Sequence, residues 1–248
     1  MFKTTKALVL RQVRYKEADF ILTVLTETDG VITVKARGAL RRSSRIAGAS
    51  QLLCYSEMTL FQNKGKWILN EAAVLEDFSG LRQDIAALAL GAYFAEALEA
   101  LLQEGVCDLA AMQLGLNSLY ALSRRLYDPR LIKAAFELRL MCLEGYEPDL
   151  RSCAVCGEEK PVEPAFHVDG GIISCKACRR NIAGESVLIT EQTLNAMRYI
   201  SCAEAKKLLS YPIEGLDLER LALACERYFL TRAERRFGSL DYWNKVKP

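Results

Sequence analysis

Two cysteine pairs constrain this chain more than any other feature. Cys153-Ala154-Val155-Cys156 and Cys175-Lys176-Ala177-Cys178 form a C-x2-C-x18-C-x2-C pattern, which lies within the range of four-cysteine metal sites. Two cysteines three apart in a tight turn can aim both sulfurs at one ion, and two such knuckles complete a tetrahedron. Gly157 follows the first knuckle and Gly170-Gly171 precede the second, supplying the backbone freedom that such turns need. Residues 165–168 and 172–174 read as two short strands around Asp169-Gly170-Gly171. Together these features predict a zinc ribbon holding one Zn²⁺ through Cys153, Cys156, Cys175 and Cys178. Two redox-active C-x-x-C pairs are the alternative, and they leave the glycines and the hairpin unexplained. Four sulfur ligands leave no open position, so the metal is expected to be structural.

The other five of the nine cysteines, Cys54, Cys107, Cys142, Cys202 and Cys225, are scattered through apolar segments and read as core packing. No apolar run approaches the roughly 20 residues of a membrane helix. The apolar stretch 7–10 near the N-terminus is too short for a signal peptide. The expectation is a cytoplasmic protein whose thiols stay reduced, without disulfides and without a membrane partner.

The hydrophobic period divides the rest of the chain. Residues 6–15, 18–26, 31–36, 52–62 and 67–75 read as strands, with Asp29-Gly30 and residues 63–66 as turns. Five strands with no intervening helix predict a small antiparallel barrel, for which an OB-fold is the natural candidate. Strand count alone does not separate it from an SH3-like barrel. From Leu81 the period lengthens towards 3.6. Helices are expected over 84–104, 108–126, from Asp128-Pro129 to Glu144, from Thr190, and over 217–236, with a further capping box at Ser201 and Glu204. Arg124-Arg125 would close the second helix. The predicted class is α+β: an OB-fold domain over 1–80, then a helical domain over 81–248 with the zinc insert at 150–184.

Charge is uneven. The formal net charge is only +2, yet residues 1–80 carry 12 basic and 8 acidic side chains. Lys35, Arg37, Arg41, Arg42 and Arg45 cluster with no acid between them, among small residues such as Gly38, Ala39, Ser43 and Ser44. Such a loop lets a polyanion approach and its phosphates be neutralised, although a solvated charged loop has the same composition. Arg11, Arg14 and Lys16 would extend the patch. Tyr15, Phe20, Tyr55, Phe61 and Trp67 include candidates for stacking bases. Walker A, G-x-G-x-x-G, G-x-S-x-G and H-E-x-x-H motifs are all missing. The sole histidine, His167, precedes Val168-Asp169, and Ser174 precedes Cys175. A zinc deaminase needs glutamate and proline at those places, so His167 reads as a strand-surface residue. No enzyme activity and no small-molecule substrate are expected.

Several stretches resemble the bacterial recombination mediator family RecO. They are residues 7–11 and 15–22, the basic segment 30–45, Phe136-Glu137-Leu138-Arg139-Leu140, and Gly145-Tyr146-Glu147-Pro148-Asp149-Leu150 leading into Cys153. Phe166, Gly170-Gly171, Cys175 and Ser239-Leu240 continue the likeness. Gly238 stands where the family usually has lysine, so no role passes to that position. Some members lack the zinc cysteines. The resemblance implies an OB domain, a helical domain and a zinc finger. It implies binding of single- and double-stranded DNA, annealing of complementary strands, and a nucleoid-associated place in the RecF pathway. It also implies partnership with RecR and the C-terminal tail of the single-strand binding protein SSB, and help in loading RecA. The residues taken alone leave two rivals: a zinc-ribbon RNA- or ribosome-binding protein, and a nucleic-acid-modifying enzyme.

Overall fold

The computed structural model describes residues 1–247. They divide into two compact units: Met1–Arg124 with the segment from Phe237 onward, and Arg125–Arg236.

The first unit opens with five strands, β1 (Phe2–Tyr15), β2 (Asp19–Thr26), β3 (Gly30–Ala36), β4 (Tyr55–Asn63) and β5 (Lys66–Glu76). They close into a barrel in the order β1-β2-β3-β5-β4. β3 meets β5 in parallel through Val34↔Trp67 and Lys35↔Ile68, and β1 meets β4 antiparallel. That five-stranded Greek-key order is the OB arrangement, so it resolves the choice that strand count left open. Ala7, Val9, Leu22, Val24, Val34, Met58 and Leu60 are fully buried in its core, the inward half of each alternating strand. The β2–β3 turn is closed by side chains: the Asp29 N–H donates to Thr26 Oγ1 (2.9 Å), whose hydroxyl donates to the Gly30 carbonyl (3.0 Å). Gly30 has φ +60°, and a Cβ there would stand 2.1 Å from the Val106 carbonyl oxygen, so no other residue fits.

Residues 52–54 form a turn rather than the start of β4, with Leu53 at φ 64°. The segment 37–51 is ordered as a plug. Ala39 and Ile46 enter the barrel core, the Leu40 N–H bonds the Ala18 carbonyl (3.0 Å), and the Gly38 N–H bonds Asp19 Oδ1 (2.8 Å). Helices α1 (Ile85–Leu101) and α2 (Leu109–Ser123) follow. They are capped by Asp84, which accepts from the N–H groups of Ala86 and Ala87, and by Asp108, which accepts from that of Ala111. Arg124 and Arg125 lie past the end of α2, outside the last turn that the sequence assigned them. A helix that sequence reading did not foresee, α6 (Gly238–Val246), returns to this unit. Its free N–H groups at Gly238 and Ser239 are taken by the Glu96 carboxylate of α1, 3.3 and 3.0 Å away.

In the second unit α3 (Pro129–Leu143) starts at the Asp128 cap with Pro129 in its first turn. α4 (Glu191–Cys202) is capped by Thr190, and α5 (Gly215–Ala233) follows. The expected capping box at Ser201 and Glu204 does not form, because Ser201 lies inside α4 and residues 203–214 hold no helix, only a turn at 205–209 within irregular chain. Between α3 and α4, strands β6 (Asp149–Cys153), β7 (Ala165–His167), β8 (Ile172–Ser174) and β9 (Ser186–Leu188) make a sheet in the order β6-β8-β7-β9. α3 buries an ion cluster: Lys133 Nζ lies 2.7 Å from Glu137 and 2.8 Å from Glu226 of α5, with Lys133 and Glu137 at 1% and 0% exposure. Burial alone would lower the lysine's pKa, but the two carboxylates outweigh it and raise it. Cys54 and Cys225 are buried as expected, while Cys107 and Cys202 are exposed and do not pack a core. No helix among the described residues is long and apolar enough to cross a membrane.

Candidate metal centre and candidate nucleic-acid interface

The four cysteines come together. Cys153 ends β6, Cys156 sits in the following turn, and Cys175 and Cys178 follow β8. Their sulfurs all lie within 4.8 Å of one another, with Cys156 and Cys175 3.9 Å apart. Gly157, at φ +77°, lets its N–H turn back to the Cys153 carbonyl (2.9 Å). The second knuckle repeats the turn, with N–H groups of Cys178 and Arg179 on the Cys175 carbonyl (3.1 and 3.0 Å). Burial would raise the Cys153 thiol, but backbone N–H groups of Cys156, Cys175 and Val155 outweigh it and bring the thiol down to about 6. Cys178 is pushed up to about 12, chiefly by the sulfur of Cys175. Several thiolates held this closely need a cation to coexist. The donor set therefore fits a metal ion. From α4, the Arg198 guanidinium donates to the carbonyls of Leu150 (2.7 Å), Arg151 (2.8 Å) and Glu159 (3.1 Å), tying the knuckle to the helix.

His167 is buried, not on a strand surface. It is 2% exposed, with Nε2 2.8 Å from Ser174 Oγ. β7 lies between β8 and β9, which covers both of its edges. Burial lowers the imidazole pKa.

The predicted basic residues separate into distinct groups. Arg37, Arg41, Arg42 and Arg45 are exposed, and none of them makes an ion pair among the described residues. Arg14 is likewise exposed. Lys35 is half-buried; it pairs with Asp19 Oδ2 (3.1 Å) and its Nζ lies 4.6 Å from the centre of the Tyr15 ring. The Gly38 N–H and the Lys35 ammonium together hold the Asp19 carboxyl below its ordinary pKa. Arg11 is engaged elsewhere, with Nε 2.8 Å from Glu99 of α1 and Nη2 on Thr23.

Lys35 and Arg37 line a groove of about 640 Å³ on the barrel, together with Tyr15, Lys64, Lys66 and Trp67. In the sequence Lys64 and Lys66 read as turn residues. Only the parallel β3–β5 closure brings them beside Lys35, and an Asn-Lys-Gly-Lys turn carries no local sign of that.

Fold and site together define a class: an OB-barrel protein with a cationic groove, joined to a helical unit whose four-cysteine knuckle could hold a metal ion. Residues 1–78 match the model described as Recombination protein O N terminal, and residues 82–241 match Recombination protein O C terminal. The chain is 32% identical over 238 residues to the DNA repair protein RecO of Acetivibrio thermocellus, covering 96% of this chain and 94% of that one. It is 33% identical over 225 residues to the DNA repair protein RecO of Desulforudis audaxviator (90% and 85%). It is 28% identical over 247 residues to that of Alkaliphilus metalliredigens (99% and 100%). The chain belongs to the recombination protein O family, and its role lies in DNA repair and recombination.

Proposed function

We propose that this protein is a recombination mediator that holds DNA on its barrel without covalent chemistry. The observation that carries this reading is the groove at β3–β5. Cations from two chain segments, Lys35 and Arg37 on one and Lys64 and Lys66 on the other, surround one concavity with only Glu104 as an acid in its lining. An OB barrel binds oligonucleotides on its β2–β3 face, flanked by the β1–β2 and β4–β5 loops. Lys64 and Gly65 are the β4–β5 loop here. Arg14, Arg41, Arg42 and Arg45, all exposed, are further cations of the same domain available to phosphates. Residues 1–80 then form the DNA-binding domain, and the helical domain over 81–248 holds the pocket for the SSB tail.

Phosphate contacts of this kind are independent of sequence. Two complementary strands, or a strand and an SSB-coated partner, can be brought together on such a surface. Membership of the family supports annealing, partnership with RecR and the SSB tail, and a link to RecA and RecF. A Zn²⁺ ion suits the cysteine site, because tetrahedral Zn–S bonds of ~2.3 Å place sulfurs ~3.8 Å apart, close to the 3.9 Å between Cys156 and Cys175. Zinc there would hold β6, β8 and, through Arg198, α4 together. The test is annealing of complementary oligonucleotides precoated with SSB, followed across a salt titration. Rapid annealing that slows steeply with salt supports the reading. No annealing, with SSB left in place, overturns it.

A further inference from the structure

α5 carries apolar side chains where a surface helix is normally polar. Leu221, Ala224, Cys225 and Tyr228 face the interior, where α5 packs on α3, α4 and β9. Leu216, Leu223 and Leu230 stand on the opposite side, the first two 58% and 45% exposed and the third half-buried. Seven residues fall only ~20° short of two full turns, so these three lie in one line down the 19-residue helix. One exposed leucine is ordinary. Three in line, seven apart, form the kind of seam along which helices pair.

The charges beside the seam are sorted by sign. Steps of three and of four residues from a leucine fall on opposite sides of it, so Glu219 and Glu226 border one edge while Arg220 and Arg227 border the other. Their present contacts leave them available. Glu219 Oε1 is 3.8 Å from Arg130 and Arg227 is 3.2 Å from Glu185, both pairs open to solvent and therefore worth little. Glu226 gives Oε2 to Lys133 yet keeps its side chain 25% exposed, and Arg220 makes no ion pair among the described residues.

This sorting selects the occupant. Two copies of α5 lying parallel about a two-fold axis along the seam set the acidic edge of each against the basic edge of the other. Glu219 then meets Arg220 of the second copy, Glu226 meets its Arg227, and each pair occurs twice. An antiparallel pair would face acid with acid and arginine with arginine, which costs affinity. We propose that α5 is the seam of a parallel homodimer. A single helix pair is small beside a standard protein interface, so the dimer forms and dissociates with concentration. It stands apart from the reading of the barrel as a DNA site; joined to that reading, one dimer brings two barrels to two strands.

The test is sedimentation equilibrium of the full chain without DNA. Between ~2 and ~200 µM, the range of a weak specific pair, the mass should rise from one chain towards two. Leu223→Glu sets two carboxylates against each other on the axis and should weaken the dimer about a hundredfold; with that side chain exposed, the melting curve of the dilute protein should match the parent's. Glu219→Arg and Arg220→Glu should each be monomeric alone, because each faces like charge across the seam. Mixed in equal amounts they should dimerise as the parent does, since both cross-seam pairs return in the heterodimer. A parent that stays monomeric throughout overturns the proposal. A dimer indifferent to Leu223→Glu places the contact elsewhere, and a mixture that stays monomeric refutes the parallel pairing. A monomeric parent whose Leu223→Glu variant loses a protein partner would assign the seam to that partner instead.

Discussion

Neutralising Arg41 and Arg42 together should change how DNA binding responds to salt, by an amount set by the number of available cations. Six side chains at the groove and on the plug make no ion pair among the described residues: Arg37, Arg41, Arg42, Arg45, Lys64 and Lys66. Each phosphate contact on a single strand releases about 0.7 of a counterion, so six contacts give a slope of log K against log salt near about −4. Between 50 and 200 mM salt the parent should then lose roughly 250-fold in affinity. Arg41→Gln with Arg42→Gln removes two contacts, which brings the slope to about −3 and the loss to roughly 50-fold. Arg11→Gln is the control. Its guanidinium already faces Glu99 at 2.8 Å, so it has no free charge for a phosphate and the slope should stay at the parental value. The assay is anisotropy of a labelled thymidylate 20-mer at five salt concentrations. An unchanged slope in the double variant, or an equal drop in Arg11→Gln, would refute the assignment of these arginines.

Other expectations concern stability. Lys133→Met leaves the fully buried Glu137 carboxylate without its lysine and should cost about 3–5 kcal/mol, read by thermal or urea unfolding; converting Glu137 and Glu226 to glutamine in the same chain should restore most of it. Chelation of the metal at neutral pH should lower the melting midpoint of the Arg125–Arg236 unit by ~10 °C or more, because metal binding there is folding free energy. Metal analysis should return one zinc per chain, and Cys153→Ser should lower stability before it lowers DNA affinity; loss of binding with an unchanged melting curve contradicts that order. His167 has a depressed pKa when folded, so the unfolded chain binds more protons below about pH 6.5. The contribution of His167 is thus fully present above that pH and declines as acid is added. The acid-side slope of stability should be shallower in His167→Phe than in the parent.

Local signals were legible in the sequence where a residue's partners are near it in the chain. Asp29-Gly30 marked its turn, Asp128-Pro129 marked a helix start, and the cysteine spacing placed four sulfurs together. The failures have the opposite cause. The N-terminus of α6 is completed by Glu96, 142 residues earlier at Gly238, so no local cap announced it. Ser201 and Glu204 had the spacing of a cap, but α4 was already running through Ser201 from Thr190. Arg11 meets Glu99, 88 residues on, a pairing that no local pattern announces. Lys64 and Lys66 joined the groove only through the β3–β5 closure.

The central claim is that single-stranded DNA lies on the β3–β5 face of the barrel. Amide hydrogen exchange on the full chain, with and without a saturating thymidylate 20-mer, tests it most directly. The account predicts protection concentrated in residues 13–21, 32–37 and 61–68, with the cysteine knuckle unaffected. Protection confined to residues 125–236, with the barrel unchanged, would contradict it.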